Sequence, residues 1–326
     1  MAKISDVAQL AKVSSATVSR VFNHHPNVHL DVRKRVFDAA RELDYRPRPS
    51  LKQKNVVVIT PYAPVYPVQS CVDMILMALV QEMSRRGFRL EILPENNRDR
   101  LDGIQFCAAI AIGAEPSTFT DWSDRYSMPL VIMDRDGPAN SPDVYYVQSD
   151  NAQGMRLAIE HLHARGCQKI GCIIHGDPGT GNADLRHDGI VKALSGCKLP
   201  VDESLIYFSG HGTDKYVELI GKLLKQEVDA LFCPGGNAGV VSYYAFSLYN
   251  RQVPKDISLI ASEQTLSSQY TVPPLTTITP DYSAMAIAAA DVIEAQARGD
   301  DMPAKTVIPY LLISRESVRK KSEIST

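Results

Sequence analysis

Over the first 45 residues apolar positions recur at helical spacing, and beyond residue 55 they gather into short continuous runs. In Ile4 to Asn23, ISDVAQLAKVSSATVSRVFN, Ser5 stands one residue before an acid and just ahead of Val7, Ala8, Leu10 and Ala11, the pattern of an N-cap opening an amphipathic helix. Val13 and Ser14 interrupt that pattern. Ser14 or Ser15 then caps a second run in which Ala16, Val18, Val21 and Phe22 turn inward while Ser15, Thr17, Ser19 and Arg20 face outward. A third helix is predicted from about Leu30 to Leu43, where Val32, Val36, Ala39, Ala40 and Leu43 close a small core over the first two. Helices this short are unstable singly, so the first pair serves to present the polar face of its second member. Small hydroxyls and one Arg suit a major groove, and an ordinary helical hairpin with a polar exterior fits the spacing equally well.

Tyr45-Arg46-Pro47-Arg48-Pro49 ends this module, because two prolines in three residues disfavour a continuing helix. Val56 to Ile59 is then a continuous apolar run, as expected of a parallel strand covered on both faces. Further runs of this kind are LVIMD (130 to 134), KIGCII (169 to 174), ALFC (230 to 233) and ISLIA (257 to 261). Helical patterns alternate with them, which predicts a doubly wound α/β core. The stretch from Glu95 to Ile112 is short for a helix and a strand, and its elements are not placed. A helix from about Gln69 to Arg85 holds Val72, Met74, Ile75, Leu76, Met77, Leu79, Val80 and Met83 on more than one face, more than a single sheet can cover. The surplus predicts a second partner for this helix or deeper burial within the core.

Composition sharpens the division. At 326 residues the chain is long enough for two or three domains, and its overall charge of -2 hides an uneven distribution. Residues 1 to 55 hold eleven Lys and Arg against five acids, a balance of +6, and the remainder holds 24 basic against 32 acidic residues, or -8. A small basic module on an acidic body is the pattern of a nucleic-acid reader whose core does other work. The hydrophobic fraction of 44% is that of a globular protein, and no apolar run approaches the roughly 20 residues needed to cross a bilayer. No signal peptide is visible, and the six cysteines (71, 107, 167, 172, 197, 233) show neither CxxC nor Cys/His ligand spacing, so a reduced cytoplasm without a structural metal is expected. Gly176 to Gly181 follows a strand but lacks the GK[ST] ending of a phosphate loop and the GxGxxG spacing, and reads as a turn at a ligand mouth. His161 and His163, two apart on a predicted helix, read as surface residues. With neither GxSxG nor HExxH present, no enzyme activity and no cofactor are expected.

The wording IxDVAxxAxVSxxTVSRVxN closely resembles the start of the LacI/GalR family of bacterial transcription regulators, with Lys12 in the family's usual Gly position at the turn. The likeness continues through DNAQGMRLAIEHLHARGCQKIGCI, RHDGIVKAL, VPKDISLIA, PPLTTITPDY and IPYLLISRESV, covering most of the chain. It implies a three-helix helix-turn-helix headpiece (1–47), a hinge (48–55), a two-lobed periplasmic-binding-protein-like core (56–316) and a tail (317–326). Lobe one would take about 56–163 and 281–306, lobe two about 164–278 and 307–316. Arg33, Lys34 and Arg35, near the start of the third predicted helix, would lie toward phosphates, and His29 stands where the family usually has a Ser or Ala cap. DNA contacts would fall to Ser15, Ala16, Thr17, Ser19, Arg20 and Asn23, with base readout on Ser15, Ala16 and Arg20. Leu51 is the counterpart of the hinge leucine that wedges into the minor groove, but Ser50-Leu51-Lys52-Gln53-Lys54-Asn55 offers barely one helical turn to support it. A weak wedge is therefore expected.

In this fold the ligand lies between the lobes, against the carboxyl ends of parallel strands. By resemblance Arg186 is the ligand-binding Arg, Glu263 replaces the family's Asp, and Asn237, within Pro234-Gly235-Gly236-Asn237, takes the role of a missing Asn-Asp pair. Tyr66, Asn182 and Phe232 complete the candidate pocket by position, and an acid accepting from hydroxyls fits a sugar-like effector. The expectation is a homodimeric regulator, a repressor of a near-palindromic double-stranded operator, modulated by a small molecule and with no membrane partner. Two alternatives are a DNA-binding regulator whose core senses no ligand, and a periplasmic-type solute-binding protein, which would need a signal peptide and no basic headpiece.

Overall fold

Parallel strands must be joined by crossovers, and the computed structural model shows two sheets built in this way behind three N-terminal helices. It describes residues 2–22, 25, 28–45, 54–62, 71–126, 128–138, 142–212, 214–236, 238–262 and 266–320, with the side chains of 30 and 266 excepted. The expectations for Asn23, residues 48–53 of the hinge including Leu51, Tyr66, Asn237 and Glu263 lie outside these residues, and Asn55, the last expected hinge residue, opens the first strand.

The helices are α1 (Ile4–Leu10), α2 (Ser15–Phe22) and α3 (Leu30–Glu42). Val7, Ala8, Ala11, Val18, Val21, Phe22, Val36, Phe37, Ala39 and Ala40 form their common core, with the Phe22 and Phe37 rings edge to face at 5.6 Å. Ser5 does not cap α1. Asp6 does so from inside the first turn, its carboxylate accepting the Lys3 backbone N–H at 2.8 Å, because a carboxylate reaches back where a serine at that place cannot. Ser14 caps α2, its hydroxyl accepting the Thr17 N–H at 3.1 Å. His29 stands at the N-cap of α3 and makes no side-chain cap hydrogen bond. Arg33, expected toward phosphates, is only 7% exposed and donates to the His25 carbonyl at 3.0 Å, so it holds the chain ahead of α3 instead.

The chain divides into two units, each drawn from separate segments: 1–68, 72–148 and 282–307 in the first, which includes the three helices, and 69–71, 149–281 and 308–326 in the second. The first sheet holds β1 (Asn55–Thr60), β2 (Arg89–Pro94), β3 (Ala108–Ile112), β4 (Leu130–Met133), β5 (Val144–Ser149) and β11 (Lys305–Ile308) in the order β11-β5-β4-β3-β1-β2. Helix α4 (Cys71–Arg85), the short α5 (Trp122–Arg125) and α11 (Tyr282–Arg298) belong to this unit. The unplaced section is a 3-10 segment, Glu95–Gly103, followed by β3, so the crossover between β2 and β3 carries no α-helix.

The second sheet repeats the plan with β6 (Ile170–Ile174), β7 (Ile206–Phe208), β8 (Ala230–Cys233), β9 (Ser258–Ser262), β10 (Thr276–Pro280) and β12 (Tyr310–Ile313), in the order β12-β10-β9-β8-β6-β7. Only β12 runs antiparallel to its neighbour β10. Its helices are α6 (Asn151–Ala164), α7 (Gly181–Gly196), α8 (Tyr216–Lys225), α9 (Ala238–Leu248) and α10 (Leu266–Tyr270). Helix α6 belongs here rather than to the first lobe, because Met155, Ala158, Ile159 and Leu162 share a core with Ile190, Ala193 and Leu194 of α7. His161 and His163 on α6 are half-buried rather than surface residues. Gly154 lets α6 lie against Tyr310, whose ring would stand 2.7 Å from any Cβ at that position. Residues 317 to 319 are no free tail: the Ser317 hydroxyl accepts the Thr276 N–H at 2.7 Å and donates to the Leu259 carbonyl, and Arg319 pairs with Asp229 at 2.6 Å.

The turn between α1 and α2 carries a local cost. Lys12 adopts φ 54°, the left-handed conformation that a glycine takes freely and an L side chain pays roughly 1 to 2 kcal/mol to enter. Lys12→Gly should therefore stabilise the headpiece by a net of about 0.5 to 1 kcal/mol after the glycine's extra unfolded-state entropy. A rise in the thermal midpoint of the headpiece transition checks this, and a fall would show that the lysine side chain contributes more than its backbone costs.

Candidate DNA interface and effector site

On α2 the spacing of four brings Ser15 to Ser19 and Ala16 to Arg20 along one face. Ser15, Ala16 and Arg20 are exposed, and Thr17 and Ser19 are half-buried. Ala16 thus lies outside, where the family resemblance puts it, and not inside as the apolar periodicity alone suggests. The Thr17 hydroxyl is within 2.8 Å of the Ser14 hydroxyl, so it belongs to the cap as much as to the outer face. The Arg20 guanidinium has no ion pair or hydrogen bond among the described residues, which leaves its five donors free for an external acceptor. Lys3, Lys12, Lys34 and Arg35 are exposed around this module and supply the positive field that its charge balance predicts.

A second group of polar side chains gathers at the carboxyl ends of β6 and β8, neighbours in space on either side of the point where the strand order reverses. Crossover helices diverge at such a point and leave a crevice outside the strand ends. Arg186, from α7, donates from Nη1 to the His175 carbonyl at 3.3 Å. His175 directly follows β6, and its backbone N–H donates to the Pro234 carbonyl at 3.0 Å. Gly235 and Gly236 follow with φ of 80° and 66°. A Cβ at Gly235 would collide with Arg186 Nη1, and one at Gly236 would stand 2.9 Å from His175 Nδ1, so the paired glycines let the β8 loop close over both side chains. Loops beyond β6 and β7 are tied by reciprocal Gly176 and Gly210 backbone hydrogen bonds at 2.8 and 3.1 Å. Across that tie His211 meets Asp177 at 3.4 Å, and the His175 and His211 rings lie 6.0 Å apart.

Burial, then the positive charge of Arg186 and of His211, holds the His175 imidazole down to about 4, so at neutral pH it is uncharged. Its Nδ1 and the Arg186 Nε are buried with no hydrogen-bond partner. Asn182 is half-buried in the first turn of α7. Phe232, a candidate pocket residue, is a core residue instead. It is fully buried, in register with Cys172 and Ile260, and the pleat turns all three into the cluster beneath α6 and α7. His175 was missed from sequence. The signal was present as a polar residue directly after a buried strand, but its place beside the reversal of strand order is set only by pairing.

Two helices carry apolar residues outward. On α4, Ile75, Leu79 and Met83 are buried while Met77 is 57% and Val80 39% exposed. On α9, Val240, Tyr244 and Leu248 recur at intervals of four and are 48%, 59% and 54% exposed, a stripe the sequence reading did not single out.

Residues 3–48 match the family described as bacterial regulatory proteins, lacI family, and residues 159–318 match the periplasmic binding protein-like domain. The HTH-type transcriptional repressor PurR of Actinobacillus pleuropneumoniae serotype 3 is 28% identical over 312 residues, covering 90% of each chain. A solved transcriptional regulator CelR-cellobiose complex has a TM-score of 0.70 at 24% identity, over 97% of this chain and 100% of the other. The lac repressor dimer bound to operator and the anti-inducer ONPF has a TM-score of 0.69 at 20% identity, over 98% and 99%.

Removing the Phe232 ring should act on the core and not on ligand recognition: Phe232→Ala is expected to cost about 3 to 5 kcal/mol of unfolding free energy. Denaturant unfolding of the variant checks this. A loss well below that range, with ligand binding impaired, would return Phe232 to the pocket.

Proposed function

The chain belongs to the LacI family of bacterial regulatory proteins, and on that premise we propose that it is a repressor which binds a near-palindromic operator as a homodimer and responds to a small-molecule effector. The observation that carries this reading is the outward face of α2, capped by Ser14 and presenting Ser15, Ala16, Ser19 and Arg20 from a basic three-helix module. One such helix spans too few base pairs for useful specificity, so two headpieces on two half-sites are required. The PurR relatives are named repressors, and the lac repressor of like fold is a dimer on its operator, which supports the same arrangement here.

For the dimer, the outward apolar residues of α4 and α9 supply what a self-complementary contact needs, since exposed rows of this kind are costly in water and rare on monomers. The effector is assigned to the carboxyl edge of the second unit's sheet, with Arg186 and Asn182 as contacts and Glu263, Asn237 and Tyr66 as further candidates outside the described residues. A saccharide-like effector is favoured by the acid at 263, and the CelR complex with cellobiose supports it. The hinge reading stands as proposed from sequence: Leu51 is a weak wedge on a segment too short to nucleate a stable helix.

Arg20→Ala should cost about 1 to 3 kcal/mol of specific binding and relax the preference at one base pair of each half-site, leaving salt-dependent nonspecific binding in place. Selection of binding sites from random DNA with wild type and variant reads this directly, and identical selected sequences would remove Arg20 from base readout. Met77→Lys combined with Tyr244→Lys should shift the protein to monomers in sedimentation velocity, because each places a charge at the centre of a desolvated contact. A dimer that persists with unchanged affinity would reject these faces.

A further inference from the structure

Helix α4 ends in a glycine turn whose last carbonyl finds its donor elsewhere in the chain. Gly87 adopts φ 76°, its N–H donates to the Ser84 carbonyl at 2.9 Å, and the Phe88 N–H reaches back to the Met83 carbonyl at 2.9 Å. That geometry leaves the Arg86 carbonyl outside the helix's own ladder. Lys54 supplies the missing donor: its Nζ donates to the Arg86 carbonyl at 2.8 Å and lies 5.3 Å from the centroid of the Phe88 ring. A cation placed here also meets the negative pole of the helix. The helix end is itself firmly held. The Arg86 side chain, 12% exposed, pairs with Glu82 of α4 at 2.6 Å and with Asp291 and Glu294 of α11 at 2.7 and 3.0 Å, and Phe88 is buried.

Lys54 is fixed through its backbone as well. Its carbonyl accepts the Arg89 N–H at 2.6 Å. The next residue, Asn55, opens β1 with its side chain donating to the Gln105 carbonyl at 2.9 Å and its own carbonyl accepting the Cys107 N–H at 2.9 Å. At a tetrahedral Cα, holding both the carbonyl and the side chain leaves one direction for the N-terminal peptide. That peptide begins the chain leading back to the headpiece. From Lys54 to Tyr45 is a span of nine Cα steps, roughly 30 Å at full extension, so the direction of departure is a sizeable part of where a headpiece can be held. Lys54 is exposed, and its single bond contributes little to folding because the carbonyl can return to water. Its consequence is directional.

Resting on the reading of the protein as a dimer on paired half-sites, we propose that Lys54 is a positioning residue for DNA binding. Its bond to the end of α4 fixes the direction in which the linking chain leaves the core, and with it the half-site spacing that two headpieces can meet together. Two binding modules reinforce each other only while their tethers match the span, and slack at the origin of a tether lowers the effective concentration of the second module. Helix α4 also turns Met77 and Val80 outward for the proposed dimer contact, so one helix sets both the partner's place and the exit of the chain.

The test uses the full-length protein on a paired site selected from random DNA by the wild type, and on the same site with one or two base pairs inserted between its halves. Lys54→Met is expected to bind the matched site about fivefold more weakly and to lose less on the inserted sites, so that the ratio between matched and inserted sites contracts. Lys54→Arg, which keeps a charged donor of similar reach, should restore most of that ratio. The thermal midpoint and the sedimentation of Lys54→Met should match the wild type, and a variant that unfolds or falls to monomers overturns the directional role and makes the bond a structural one. An equal loss on every spacing, with a shallower dependence on salt, identifies Lys54 as a phosphate contact and overturns the proposal. An unchanged ratio does the same. A wild type that selects no paired half-sites removes the proposed function itself, and this role of Lys54 with it.

Discussion

The parallel hydrogen-bond ladder is the constraint on which the molecule depends. Each parallel strand must be re-entered from the same end, so its crossover lies over a face of the sheet, and both faces become core. Val56 to Ile59, Ile110 and Ile132 of the first sheet and Cys172, Phe232 and Ile260 of the second are fully buried for this reason. The same rule produces the crevice at the strand ends. In both sheets the order reverses once, between β1 and β3 and between β6 and β8, and the loops that leave the reversal point diverge. His175 and the Gly235-Gly236 pair come to the same place because of that pairing, though His175 and Gly235 are 60 positions apart in the sequence.

The headpiece solves a different problem with few residues. Its core is a single cluster of small and branched side chains closed by two phenylalanines, too little to tolerate polar intrusion. Caps and buried donors therefore carry weight: Asp6 satisfies the Lys3 N–H, Ser14 the Thr17 N–H, and Arg33 the His25 carbonyl. With those groups turned to structure, the outward face of α2 is left with Ser15, Ala16 and Arg20 exposed.

At the strand ends of the second unit the balance is reversed. Arg186 and His175 retain buried atoms without partners, and backbone strain is taken up by glycines where a Cβ would fill the space. Polar groups in a core are normally satisfied, so two unpartnered buried nitrogens on adjoining side chains mark this edge.

What the sequence by itself determined was whatever depends on short-range pattern. The three helices, the five apolar strands and their alternation were legible, because periodicity and caps act within one or two turns. So were the outward Arg20 and the surplus apolar residues of α4. The tertiary structure decided everything that hangs on long-range pairing. Helix α6 joined the second unit because its apolar row meets α7, and Ser317 to Arg319 became part of that unit through bonds to residues 40 to 90 positions away, in β9, β10 and just ahead of β8. Arg33, expected toward phosphates, and Phe232, expected in the pocket, are internal instead, since burial depends on which element covers a residue and not on the residue's own chemistry. His175 gained its meaning in the same way, from a neighbouring strand that no local pattern could supply.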